Sequence, residues 1–156
     1  PPADGMALDG LSRCVKALPR TQDANSLALQ REVMAAGLNA AFSQEKGIGP
    51  ASVLAAGLRQ MDAQLDEAEL AQLVLRAVIG ANGLDDERAD ILRNIFGGQD
   101  TSLINAVSRV LEWVPHPRPL SDLGFNARSL DAAADRAAGQ GGLNFDRARA
   151  LLETIY

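Results

Sequence analysis

The stretch that decides the fold is Ala40–Gly57, AAFSQEKGIGPASVLAAG, because it joins two helices through a break. Its first residues continue an apolar helix, and Lys46-Gly47-Ile48-Gly49 interrupts that helix, since glycine adopts backbone conformations that other residues avoid. Pro50 suits the first turn of a new helix, where the backbone N–H has no intrahelical partner. The alanines that follow predict a helix over about 50–61 with a face of small residues.

Helical periodicity extends outward from this stretch in both directions, and no segment shows convincing strand alternation. We predict about eight helices, over residues 6–18, 21–42, 50–61, 66–80, 86–96, 101–114, 129–138 and 144–156. Asp66, Asp85 or Asp86, and Thr101 are the expected N-caps of three of them, and Glu69 makes the Asp66 cap close to a capping box. The predicted fold class is all-α, a single helical bundle.

We expect one domain over residues 1–156, because this length suits a single core. Within it, residues 1–114 form the predicted main bundle and residues 126–156 a terminal helix pair around a Gly139–Gly142 turn. Residues 115–125 form a proline-rich corner, since alternating prolines in Pro115-His116-Pro117-Arg118-Pro119 cannot be helical.

The long helix over residues 21–42 carries the apolar residues that we predict to face the core: Leu27, Val33, Met34, Leu38 and Phe42. Gly37 within it indicates close packing of another helix. Trp113 is predicted to fill the core, with a role as an exposed partner anchor as the alternative. Cys14 is predicted to be a buried structural thiol rather than a nucleophile, and His116 a surface loop residue rather than a general base.

Composition excludes several function classes. The net charge of −5 and pI near 4.8 argue against a nucleic-acid partner, since phosphate binding needs a basic surface. No apolar run reaches the length of a membrane span, and a lone cysteine cannot form an internal disulfide. We therefore expect no membrane partner and a cytoplasmic location. The chain begins with Pro1-Pro2, so it could be a piece of a longer protein.

Five segments in order resemble the C-terminal helical domain of the iron-containing alcohol dehydrogenases, and within that family the maleylacetate reductase branch. They are Leu8–Leu18, Leu38–Ala56, Asp66–Asn82, Pro117–Phe125 and Leu143–Glu153. The first resembles the family's opening helix, patterned GxDAxxHxxEAxx, and the second its AGxAFSxxxLGxxHAxxH helix pair. The resemblance covers most of this chain but about half of a family enzyme. The half without a counterpart is the nucleotide-binding domain.

The resemblance implies a divalent metal held by one aspartate and three histidines. The corresponding positions here are Asp9, Arg13, Ser52 and Asp66, and a family histidine near the substrate falls on Ala56. Since the chain has one histidine in all, we expect no metal, no cofactor and no catalytic residue in this chain alone. An ion pair of Arg13 with Asp9 or Asp66 is the predicted replacement. Alternatives are a Mg²⁺ site on Asp9, Ser52 and Asp66, and a plain helix cap at Asp66.

Two functions follow from the resemblance. The first is a degenerate, non-catalytic binding or structural subunit with a protein partner, either another copy or a nucleotide-binding chain. The second is the helical half of a split or truncated NAD(P)-dependent oxidoreductase, which would need a divalent metal and a nucleotide-binding partner. A cleft for that partner or for an anion is predicted around Lys46, Gly47, Gly49, Ser52 and Ala56, with a purely structural turn as the alternative.

Overall fold

The computed structural model describes residues 2–23, 26–44, 47–81, 86–98 and 102–156, and every regular element in these ranges is helical. The α-helices are α1 (Pro2–Ala17), α2 (Leu27–Ser43), α3 (Pro50–Arg59), α4 (Glu67–Ala81), α5 (Asp86–Ile95), α6 (Leu103–Leu111), α7 (Ala127–Ala137) and α8 (Phe145–Glu153). The predicted all-α class with about eight helices is confirmed. Among the described residues, no helix is both long and apolar enough to cross a membrane.

A serine sets the start of α2, because its hydroxyl satisfies a backbone N–H that has no partner within the helix. The Ser26 hydroxyl accepts a hydrogen bond from the Leu29 N–H at 3.4 Å. The predicted start at Thr21 is wrong, since Leu18–Asp23 forms a short 3₁₀ helix. α2 therefore begins at Leu27, after this short helix, rather than at Thr21.

The start of α6 is one residue later than predicted. Ser102 is the N-cap, and its hydroxyl accepts from the Asn105 N–H at 3.3 Å. The predicted cap Thr101 lies outside the described residues, as does the candidate cap Asp85 of α5. Asp86 is the first residue of α5 rather than a residue before it.

Contacts divide the chain into two compact units. The first comprises Pro1–Gly47 and Leu84–Val114, and the second comprises Ile48–Gly83 and Pro115–Tyr156. The first unit holds α1, α2, α5 and α6, and the second holds α3, α4, α7 and α8. That residues 1–156 form one domain, with a main bundle over 1–114, a corner over 115–125 and a terminal helix pair over 126–156, stays a prediction.

In the first unit, α1 and α2 approach closely through small residues. A Cβ on Gly10 would lie 3.0 Å from the Asn39 Cβ and 3.3 Å from the Ala36 carbonyl oxygen, so the approach relies on glycine. Ala36, Ala17 and Leu29 are buried in this unit. α5 contacts both α1 and α6.

α2 packs through the face opposite to the one that its sequence predicts. The residues predicted to face inward are half or more exposed: Leu27 68%, Val33 53%, Met34 67%, Leu38 59% and Phe42 50%. Leu27, Met34, Leu38 and Phe42 are seven or four residues apart and share one helix face, which we call the α2 stripe. The prediction is wrong because α2 is apolar on two faces, and the small Ala36 face allows the closer approach to α1.

The second unit holds most of the buried apolar side chains of the described residues. Its largest fully buried side chains are Leu54, Leu58, Leu70, Leu120, Leu130, Leu152 and Val74. The proline corner has no helix over residues 115–119, as predicted. The corner is anchored where the Leu120 N–H donates to the Ile155 carbonyl at 3.1 Å and the Leu120 side chain enters the core.

Candidate functional site

Asp9, the retained acidic position, belongs to a polar network between α1 and α2. Arg13 Nε donates to Asp9 Oδ2 at 2.7 Å, and the Asn39 amide donates to the same oxygen at 2.7 Å. Arg13 Nη1 also donates to Glu32 Oε2 at 2.6 Å. The predicted Arg13–Asp9 ion pair is confirmed. Glu32 and Asn39 were missed, although their spacing of seven residues places them on one face of α2.

Within this network, Asp9 and Arg13 favour each other's ionised forms. The hydrogen bond from Arg13 lowers the pKa of Asp9 below its ordinary value, and the positive charge of Arg13 and the Asn39 amide act in the same direction. Hydrogen bonds to Asp9 and then to Glu32 raise the pKa of Arg13. Since these side chains remain partly exposed, solvent screens the pairs, and the network mainly fixes side-chain orientation.

These residues do not fit the divalent metal that the family resemblance implies. Asp9 Oδ2 already accepts from a permanent cation, and a second positive charge at that oxygen would be repelled. Iron and zinc favour imidazole ligands, whereas Arg13 offers only donors. In the described part of the chain, no group of three or more His, Cys, Asp or Glu side chains is placed to hold a metal.

Asp66 is the N-cap of α4. Its Oδ1 accepts from the backbone N–H groups of Ala68 and Glu69 at 2.7 and 3.2 Å. The predicted role of Asp66 as a helix cap is confirmed. A complete capping box also needs the Glu69 side chain to accept from the Asp66 backbone N–H. That part of the prediction is wrong, because the Glu69 carboxylate binds Arg118 instead.

Glu69 ties the proline corner to α4. Its Oε1 accepts from the backbone N–H and from Nε of Arg118, and its Oε2 accepts from Nη2, each at 3.0 Å. The side-chain hydrogen bond from Arg118 lowers the pKa of Glu69, and the backbone N–H of Arg118 adds to that effect. The same contact raises the pKa of Arg118. A bidentate pair of this kind is more directional than a simple surface ion pair.

The predicted partner or anion cleft is exposed wherever the structure describes it. Its described members are Gly47, Gly49, Ser52 and Ala56, whereas Lys46 lies outside the described residues. Ser52 and Ala56 lie one turn apart on the same side of α3. Gly47 has φ of 108°, which favours glycine, so the predicted break is confirmed. Binding at this cleft stays a prediction.

A glycine turn packs against the N-terminus of α3. A Cβ on Gly141, which has φ of 55°, would lie 3.1 Å from the Pro50 nitrogen and 3.0 Å from Val53 Cγ2. Gly139 and Gly142 also have positive φ, which confirms the predicted turn. This contact gives the start of α3 a structural role within the second unit.

Three single residues were predicted individually, and two of those predictions are wrong. His116 is exposed in the proline corner, as predicted. Cys14 is exposed rather than buried, although it lies one turn after Gly10, where α1 approaches α2. Trp113 is 52% exposed rather than a core residue, since α6 ends at Leu111 and Trp113 follows in a turn.

A groove in the second unit was not predicted. It has a volume of about 570 Å³ and is lined mainly by Leu73, Arg76, Ala77, Pro117, Ile155 and Tyr156. Arg76 Nε is buried and has no hydrogen-bond partner among the described residues. Arg76 lies in the Asp66–Asn82 segment, but no residue pattern singles it out there, so the sequence carries no signal for this groove.

No protein-family model matches this sequence, and no curated protein matches it. A crystal structure of 1,3-propanediol oxidoreductase, of the iron-containing alcohol dehydrogenase family, aligns over 100% of this chain with a TM-score of 0.83 and 16% identity. The alignment covers 46% of that oxidoreductase, so this chain spans less than half of its length. At this identity the likeness shows the fold alone. This chain therefore has the fold of the helical part of an iron-containing alcohol dehydrogenase.

Proposed function

We propose that this chain is a non-catalytic binding or structural subunit, a degenerate and metal-free form of the helical domain of iron-containing alcohol dehydrogenases. The observation that carries the proposal is the α2 stripe, whose large apolar side chains are each half or more exposed. Arg31 lies between Leu27 and Met34 on the same face, and exposed apolar side chains next to polar residues are typical of protein interaction sites. The proposed partner is a protein, either another copy or a nucleotide-binding subunit, and the proposed location is cytoplasmic.

The network around Asp9 supports the non-catalytic part of the proposal. The resemblance implies an imidazole ligand where Arg13 stands, and Arg13 instead donates to Asp9 and Glu32. When the ligands and the metal are lost together, no charge is left without a partner. The Arg13–Asp9 pair is such a replacement, so we propose that this chain binds neither a metal nor NAD(P) by itself.

An alternative function is the helical half of a split or truncated NAD(P)-dependent oxidoreductase, similar to maleylacetate reductase. The observation that favours it is the extent of the structural alignment, which leaves 54% of the 1,3-propanediol oxidoreductase chain (100% minus 46%) without a counterpart here. In this alternative a partner chain or further segment supplies the nucleotide-binding half, and NAD(P) and a divalent metal belong to the assembled enzyme.

Metal uptake and NADH oxidation separate these two functions. The purified chain is incubated anaerobically with Fe²⁺ or Zn²⁺, desalted and analysed for metal, with 1,3-propanediol oxidoreductase treated in parallel as the control. NADH oxidation with maleylacetate is then measured for the chain alone and together with the proteins that copurify with it from its native cells. The proposal predicts substoichiometric metal and no NADH oxidation. Stoichiometric metal or NADH-dependent reduction contradicts it and supports the oxidoreductase.

A further inference from the structure

We infer that a pocket in the first unit, which we call the basic pocket, binds the phosphate group of a small molecule. The pocket lies where α1, the 3₁₀ helix and α2 contact one another. Its volume of about 540 Å³ is in the range of small-molecule sites. Although the chain has a net charge of −5, four of the residues that line this pocket are cations: Arg13, Lys16, Arg20 and Arg31.

Three of these cations have no partner in the protein. The side chains of Lys16, Arg20 and Arg31 are exposed, and none of them makes a hydrogen bond or an ion pair within the part of the chain that the structure describes. They come from three different elements, α1, the 3₁₀ helix and α2, so the packing of these elements brings them to one pocket. Since like charges repel, the fold gains no stability from gathering them there.

The carboxylates beside the pocket do not neutralise it. Glu32 lines the pocket and accepts from Arg13 Nη1 at 2.6 Å, and Asp9 accepts from Arg13 Nε at 2.7 Å. Both carboxylates are therefore bound to the same arginine. Counting them both, four positive charges meet two negative ones, so the cluster keeps a surplus of two positive charges.

The helix dipoles explain one of these cations but not Arg31. Lys16 lies in the last turn of α1, where a cation is favoured by the partial negative charge of the helix end. Arg31 lies in the second turn of α2, near the positive end of that helix, where a cation gains nothing. The first turn of α2 has no acidic residue and lines the pocket at Ala28. Backbone N–H groups without an intrahelical acceptor therefore add to the positive potential there, as at known anion sites.

The charge and the donors select a phosphate group as the ligand. A phosphate monoester carries about 1.5 to 2 negative charges at pH 7, which matches the surplus in the pocket, whereas a carboxylate carries one. The guanidinium groups of Arg20 and Arg31 can each bind two phosphate oxygens through parallel hydrogen bonds. The pocket also has room for an organic group beside the phosphate. The inference goes beyond the proposed function, because a phosphate ligand does not depend on a protein partner.

Isothermal titration calorimetry of the purified chain with phenyl phosphate, at constant ionic strength, tests the inference. We expect one phenyl phosphate per chain, and benzoate, which has the same ring and a single charge, is expected to bind about tenfold more weakly or worse. Inorganic phosphate identifies the source of the group. Weaker binding of inorganic phosphate assigns the site to organic phosphates, and equal binding assigns it to free phosphate. If neither phosphate binds at millimolar concentration, or if benzoate binds as tightly, the inference is overturned.

Arg31→Gln tests the pocket itself. It is expected to raise the dissociation constant of phenyl phosphate about tenfold or more, since it removes a charged donor. The thermal midpoint of the unliganded chain is expected to stay the same or rise, because a like charge is removed. Arg109→Gln is the matched control, since Arg109 is an exposed arginine in α6 of the same unit and does not line the pocket. Equal effects of the two variants on binding would refute the site.

Glu32→Gln is expected to act in the opposite direction. It removes a negative charge from the pocket and weakens the hold on Arg13 Nη1, so phenyl phosphate is expected to bind a few-fold more tightly. Damage to the fold would weaken binding instead, so tighter binding cannot come from that source. Weaker binding by a variant whose circular dichroism matches that of the wild-type chain contradicts the inference.

Discussion

Replacement of Gly57 by alanine is expected to destabilise the second unit, although the same replacement usually stabilises a helix. Gly57 is buried in α3, and a Cβ there would lie 3.0 Å from the carbonyl oxygen of Ala133 and 3.7 Å from its carbonyl carbon. Ala133 is buried inside α7, where the helix ladder holds the carbonyl oxygen in place. The neighbour is therefore backbone, which cannot rotate away as a side chain can.

The size of the effect comes from two opposing terms. Alanine gains about 1 kcal/mol over glycine in helix propensity. Forcing an extra methyl group into a packed contact costs about 1–3 kcal/mol, because α3 and α7 must separate by a few tenths of an ångström. That separation also loosens the packing around Leu54 and Leu58, which are fully buried in α3. The expected net loss is about 1 kcal/mol, from the balance of these terms.

Urea unfolding followed by far-ultraviolet circular dichroism measures this difference. Gly80→Ala in α4 is the matched control in the same unit, since a Cβ on Gly80 would meet no atom within 4 Å. The control is expected to keep or raise the unfolding midpoint, while Gly57→Ala lowers it. If Gly57→Ala raises the midpoint as the control does, the close α3–α7 contact is refuted.

Three further predictions concern side chains that the structure places. Glu69→Gln is expected to lower the free energy of unfolding at neutral pH by about 1 kcal/mol, since it weakens the hydrogen bonds to Arg118. Folding lowers the pKa of Glu69, so this stabilisation is complete above the pKa that Glu69 has in the unfolded chain. It is lost as the pH falls through the pKa that Glu69 has in the folded chain. The urea midpoints of wild type and variant should therefore converge in acid. Leu54→Ala is expected to lower the free energy of unfolding by about 2–5 kcal/mol, whereas Leu27→Ala on the exposed stripe should change it by less than about 0.5 kcal/mol in the monomer. Equal losses in urea unfolding would contradict the orientation of α2. Cys14 is expected to react with a thiol reagent in the folded chain as fast as in the unfolded chain, and strong protection would contradict its exposure.

The helices and their breaks are predictable because local chemistry determines them. Pro50 and the glycines before it place the start of α3, and the alternating prolines after residue 114 exclude a helix there. Asp66 caps α4 because a short carboxylate reaches the first backbone N–H groups. These signals act within a few residues, so a single sequence contains them.

The contacts between helices are less predictable. α2 is apolar on two faces, so periodicity alone cannot tell which face meets α1, and the choice depends on the close approach at Gly10 and Ala36. The ion pair of Arg13 with Asp9 follows from their spacing of four residues, but its extension to Glu32 depends on how α2 lies against α1.

The partner of Glu69 shows the same limit. The spacing of Asp66 and Glu69 predicts a capping box, yet the fold brings Arg118 to Glu69 from 49 residues away. A bidentate guanidinium competes successfully for the carboxylate. Candidate positions can therefore be chosen from the sequence, whereas their partners depend on long-range packing.

Native mass spectrometry of the chain, purified from its own cells by gentle lysis, tests the central claim most directly. We expect a stoichiometric complex that contains no iron or zinc, in which this 16.5 kDa chain is bound to another copy or to a different protein. A strict monomer, or a complex that carries one metal ion per chain, would contradict a metal-free binding subunit.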